Sequence, residues 1–84
     1  MITIYSKENC NFCTRAKKLM ESRGITYTEK KLGIDFQIED IREAFPTLLS
    51  FPVITKEDIL VGGYDALVSK ITEDSNYGKT LLKG

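Results

Sequence analysis

The chain has 84 residues, 42% of them hydrophobic and 29% charged, a globular mixture that argues against disorder and leaves room for one small domain over residues 1–84. Its 12 Lys and Arg balance 12 Asp and Glu, so the basic excess expected of a nucleic-acid-binding module is missing. It has no histidine, which removes histidine zinc sites and Ser-His-Asp catalysis, and no apolar run approaches the roughly 20 residues that span a bilayer.

The chain opens with Met1-Ile2-Thr3-Ile4-Tyr5. It lacks the charged and apolar regions of a secretory signal, so the cytoplasm is the expected location. The same stretch alternates and is rich in β-branched side chains, which predicts a first strand. After the polar residues 6–9 the period changes. Phe12, Ala16, Leu19 and Met20 fall on one helical face, and Gly24 suits the left-handed residue that closes a helix, so a helix is expected over residues 11–23. Residues 25–32 resume strand character, making a βαβ unit with parallel strands. Gly33 breaks this strand. Asp35 is the expected N-cap of a second helix with Ile38, Ile41 and Phe45 on its apolar face, and Pro46 ends it. Residues 47–50 read as a loop. Residues 51–55 and 59–61 then flank the polar turn Lys56-Glu57-Asp58, a hairpin. After Gly62-Gly63, Asp65 is the expected cap of a third helix carrying Leu67, Val68 and Ile71. That helix should stop at Asn76-Tyr77-Gly78, with Leu81-Leu82 packing back. The order βαβαββα predicts an α/β fold, a four-stranded mixed sheet with two helices on one face and one on the other.

The two cysteines lie together in Cys10-Asn11-Phe12-Cys13. With no second pair to complete a zinc site, they are either a reactive dithiol or inert neighbours. Their position decides between these. Cys10 falls where the first strand turns into the first helix, facing free backbone N–H groups and the positive end of the helix dipole. An ordinary thiol has a pKa of about 8.5, whereas Cys-x-x-Cys thiols at helix N-termini fall to roughly 3.5–7.5. The thiolate is the species that attacks disulfides. Cys10 is therefore the expected nucleophile, and Cys13, one turn deeper, the resolving thiol.

These residues resemble the glutaredoxin family, of thioredoxin-like fold, over nearly the whole chain. The likeness rests on Tyr5-Ser6-Lys7-Glu8-Asn9-Cys10-Asn11-Phe12-Cys13 running into Ala16-Lys17-Lys18-Leu19, on Phe51-Pro52, and on Gly62-Gly63-Tyr64-Asp65. The short chain and the Phe45-Pro46 and Ser50-Phe51-Pro52 segments look most like compact phage-encoded members, for which the location would be the host cytoplasm. The resemblance implies glutathione-dependent reduction of protein disulfides and glutathionylated thiols, with glutathione as co-substrate, no metal, and ribonucleotide reductase among the targets; a monomer is expected because no spare apolar stripe is visible. It implies that Pro52 follows a cis bond and that the Phe51 backbone pairs with the cysteine of glutathione. Lys7 would meet the glycine carboxylate, though it also reads as a solvated surface lysine. Gly63, Tyr64 and Asp65 would hold the γ-glutamyl end at a helix N-terminus, and Phe12 would form an aromatic wall. The chain also departs from the family. Asn11 stands where proline is common, Phe12 where tyrosine is commonest, Ala66 where a second acidic residue often follows, and Leu49 where some members are basic. Arg42 is a candidate replacement clamp for the carboxylate. Two other readings stay open: a redoxin reduced by thioredoxin reductase, and a dimer sharing a [2Fe–2S] cluster through Cys10 and glutathione.

Overall fold

The structure is a computed structural model that describes residues 1–46, 50–74 and 77. The elements follow in the order β1 (Ile2–Ser6), α1 (Asn11–Ser22), β2 (Tyr27–Lys31), α2 (Ile38–Ala44), β3 (Val53–Lys56), β4 (Ile59–Gly62) and α3 (Tyr64–Glu73). The strands form one four-stranded sheet in the order β2-β1-β3-β4. β1 pairs with β2 in parallel and with β3 antiparallel, and β3 pairs antiparallel with β4. This is the mixed sheet expected from a βαβ unit followed by a hairpin.

Strand periodicity divides the core in two. On one face Ile2, Ile4 and Ile54 pack with Ala16 and Met20 of α1 and Leu67 and Ile71 of α3. On the other, Val53 packs with Phe36 and with Ile41 of α2, flanked by Tyr5, Phe45, Phe51 and Leu60. The helix pair and the single helix thus cover opposite faces. Both layers reach the end of the sheet where β1 runs into α1.

Several boundaries differ from the sequence reading. β2 is Tyr27–Lys31, shorter than residues 25–32, because Ile25 leaves the sheet to fill the α1 core. The hairpin strands are shifted by up to two residues, and its turn is Glu57-Asp58, both left-handed at φ 53° and 64°, as two-residue hairpin loops require. Asp35 does not cap α2. Its carboxylate accepts the Lys31 N–H at 2.8 Å and closes the turn after β2. The cap is Gln37, whose N–H is held by the Asp40 carboxylate at 2.9 Å. Asp65 does not cap α3 either. Gly63 occupies that position, and Asp65 lies in the first turn. α3 ends at Glu73, before the expected stop. Tyr77 packs on the α1 and α3 core, while Asn76, Gly78 and Leu81-Leu82 lie outside the described residues.

Arg23 is the C-cap of α1, and Gly24 follows at φ 70° with open space around a would-be Cβ. Only the backbone conformation is at stake there. Gly24→Ala is expected to cost about 1 kcal/mol, read from the urea midpoint, with thiol exchange unchanged.

Candidate active site

A left-handed Asn9, at φ 57°, turns the chain out of the sheet and into Cys10. Cys10 is the N-cap of α1, with extended backbone at φ −113° and ψ 103°. Its sulfur does what a serine or aspartate oxygen does at such a position: it accepts the Cys13 N–H, at 3.2 Å. The Cys10 carbonyl accepts the Thr14 N–H at 3.2 Å, so the helix is already hydrogen-bonded one residue beyond the dithiol. The sulfur therefore lies over the first free N–H groups of α1, which favour an anion.

The two sulfurs are joined in a disulfide, with the Cα atoms 5.2 Å apart. Cys10 is half-buried, while Cys13 is only 2% exposed. The two positions thus differ as attacking and resolving thiols should. The outer sulfur can meet a partner, and the inner one can reach only its neighbour.

A groove of about 400 Å³ lies beside this motif, within the range of small-ligand sites. It is lined by Phe12, Ser50, Phe51, Pro52, Gly63, Tyr64, Asp65 and Ala66. Six of the seven residues singled out for glutathione thus share one cavity. The Phe51-Pro52 bond is cis. Phe12, half exposed on α1, stacks against Tyr64 of α3 with ring centres 5.6 Å apart and closes one wall. The first turn of α3, Tyr64 to Ala66, also lines the groove. The seventh residue, Lys7, lies outside the groove but is tied to it, with its ammonium 5.8 Å from the centre of the Phe51 ring.

Arg42 does not line this groove. It belongs to a neighbouring pocket of about 370 Å³, with Ile38, Ile41, Pro46 and Val53, that shares Ser50 and Phe51 with the groove. Leu49 lies outside the described residues. Ser50 was not singled out from the sequence, and Ala66 was noted only for the acidic group it lacks. Their place in the groove depends on how the chain enters β3 and leaves β4. Among the described residues no group of three or more cysteine, aspartate or glutamate side chains gathers to hold a metal ion. No helix among them is long and apolar enough to cross a membrane.

The glutaredoxin family model matches residues 2–59. A glutaredoxin-like protein NrdH of Lactococcus lactis subsp. cremoris is 35% identical over 65 residues, spanning 76% of this chain and 88% of that protein. Among solved structures, glutaredoxin 1 of Francisella tularensis superposes with a TM-score of 0.73 at 21% identity, covering 89% of this chain and 95% of its own. The glutaredoxin of Brucella melitensis gives 0.71 at 27% identity, covering 98% and 92%.

Proposed function

The chain belongs to the glutaredoxin family, and from that premise we propose that it is a glutathione-dependent oxidoreductase, a single domain over residues 1–84. It would reduce protein disulfides and glutathionylated thiols through Cys10 and Cys13. The Cys10 thiolate attacks one sulfur of the target disulfide, a new S–S bond forms, and the other target sulfur leaves as a thiolate. In the dithiol route Cys13 then attacks Cys10 and releases the reduced target, leaving the Cys10–Cys13 disulfide. Two glutathione molecules restore the dithiol and depart as glutathione disulfide. In the monothiol route glutathione itself resolves the intermediate.

The observation that carries this reading is the groove that gathers Phe51, Pro52, Gly63, Tyr64 and Asp65 with Phe12 of the Cys10–Cys13 motif. A glutathionyl group laid along it would place its cysteine on the Phe51 backbone. Its γ-glutamyl carboxylate would face the N–H groups opening α3, with Asp65 toward the α-amino group. Its glycine carboxylate would face Lys7, and Arg42 in the adjoining pocket is a second cation for that end. The proposed protein targets carry exposed disulfides, ribonucleotide reductase being the candidate implied by family resemblance, and the proposed place of action is the cytoplasm.

One feature of the groove favours a second reading. Ala66 lines it without offering a polar atom beside Asp65, so the γ-glutamyl end has fewer side-chain partners. A redoxin served by thioredoxin reductase would need no such contacts. The test is an NADPH-coupled assay on a glutathionylated peptide, run once with glutathione and glutathione reductase and once with thioredoxin reductase alone. Turnover is expected in the first. Turnover confined to the second would replace glutathione by the reductase as electron donor. A brown protein after anaerobic purification would instead point to the cluster-bearing dimer.

A further inference from the structure

The dithiol has a second side. A second, polar cavity of about 350 Å³, sharing no lining residue with the groove, is lined by Ser6, Lys7, Glu8, Asn9, Cys10, Asn11, Cys13, Thr14, Lys17, Glu29 and Lys31. Both cysteines border it, and apart from them the glutathione reading assigns only Lys7 here.

Its floor is a hydrogen-bonded pair of charges. Glu29 is paired with Ile4 in the parallel β1–β2 register, and neighbouring residues in register point to the same face of a sheet. Its side chain therefore rises on the face covered by α1. There one carboxylate oxygen accepts the Ser6 hydroxyl at 2.8 Å and the Lys17 ammonium at 2.9 Å. Ser6 is the third inward residue of β1 after Ile2 and Ile4, and is itself 2% exposed. Lys17 follows Cys13 by four residues, on the same face of α1. Both charged side chains are about three-quarters covered, at 27% and 24% exposure. A polar contact between strand and helix thus stands where an apolar one would continue the Ile2-Ile4 core, and it stands beside the two sulfurs.

We propose that Glu29 and Lys17 are positioning residues for the dithiol: Glu29, anchored on Ser6, fixes the Lys17 ammonium on the cavity that Cys10 and Cys13 border and offsets its charge, so that neither charge acts on the ionisation of the sulfurs without the other. Lys17 alone would draw both thiols toward thiolate. Glu29 alone would oppose it. Held together they leave a small net field, and the N-terminus of α1 remains the main force on Cys10. The hydrogen bond from Lys17 also keeps the Glu29 carboxyl below the usual carboxylate range against its partial burial, with Ser6 assisting. Glu29 is therefore charged whenever the dithiol works. The other charges facing the cavity are Lys7 and Glu8 of the loop and Lys31 of β2, all exposed and more strongly screened.

This inference rests on the dithiol being redox-active, and its test separates the two claims. Thiolate absorbance at 240 nm would be followed against pH in the reduced protein, with exchange against glutathione disulfide measured in parallel. Glu29→Gln should move ionisation to lower pH by about 0.5–1 unit, and Lys17→Gln to higher pH by a similar amount, as partly screened charges near a thiol do. The double variant should return close to the parent, and Lys17→Arg should leave it in place. Loss of a merely structural contact would lower the melting temperature of both variants without shifting the titration in opposite directions. Parent protein that exchanges normally, with variants titrating alongside it or shifting the same way, overturns this inference alone. Parent protein whose dithiol does not exchange overturns the oxidoreductase reading and this inference with it.

Discussion

Cys10→Ser is expected to abolish every disulfide-exchange activity, and Cys13→Ser to divide them. Only Cys10 combines partial exposure with a place over the free N–H groups of α1. A serine oxygen there caps the helix equally well, so the variant stays folded. It offers an alcohol where the reaction needs a thiolate. Cys13 lies beneath, 2% exposed, and its sulfur meets an incoming target only through Cys10. On the glutathione proposal, glutathione would still resolve a glutathionylated intermediate without it. An intramolecular protein disulfide requires the second thiol, because the tethered leaving sulfur otherwise recaptures Cys10. Cys13→Ser is thus expected to retain deglutathionylation and lose reduction of such disulfides. A reductase-coupled assay with one substrate of each kind reads both. Residual activity in Cys10→Ser, or equal loss of both reactions in Cys13→Ser, would remove the asymmetry on which the mechanism depends.

What the sequence made legible were features written in local spacing. The change of period at residue 11 locates the end of β1 and the start of α1, and so places Cys10 at a helix N-terminus from spacing alone. Glycine at position 24 marks the helix end, where φ is indeed positive. Features set by tertiary contact were harder to read. Asp35 looks like a cap because capping residues and turn residues are the same types. It closes a turn instead, since the chain must fold back to bring Phe36 under Val53. Phe36 itself stands alone between polar neighbours and Gln37, and no periodicity marks it as core. Asp65 is misplaced for a related reason: the backbone of Gly63 takes the cap position, which frees the aspartate to line the groove. Nothing in the local spacing of Glu29 and Lys17 shows that they meet. Only the β1–β2 register turns the glutamate toward α1.

Gly62→Val is expected to cost roughly 2–6 kcal/mol, and the reason can be divided experimentally. Gly62 ends β4 at φ 131°, a region almost closed to residues with a Cβ and worse for a β-branched one, where strain alone costs about 1–3 kcal/mol. A Cβ built there would also lie 2.8 Å from the Ala66 Cβ on the first turn of α3, and such overpacking adds about 1–3 kcal/mol. Gly63 has no such constraint. Its would-be Cβ meets only the Pro52 carbonyl oxygen, at 3.6 Å. Of the two glycines, the first therefore bears the steric requirement. Gly62→Ala carries most of the strain and the same clash. Adding Ala66→Gly removes the clash and leaves the strain, so the double variant should recover only part of the loss in a urea titration. Because Gly62 delivers β4 directly into the start of α3, any backbone shift that relieves the clash moves Gly63, Tyr64 and Asp65, all of which line the groove. Under native conditions Gly62→Ala should accordingly raise KM for the glutathionylated peptide more than it changes alkylation of Cys10. An unchanged urea midpoint in Gly62→Val would mean that β4 and α3 do not meet at this angle, and the groove between Phe12 and Asp65 would need to be redrawn.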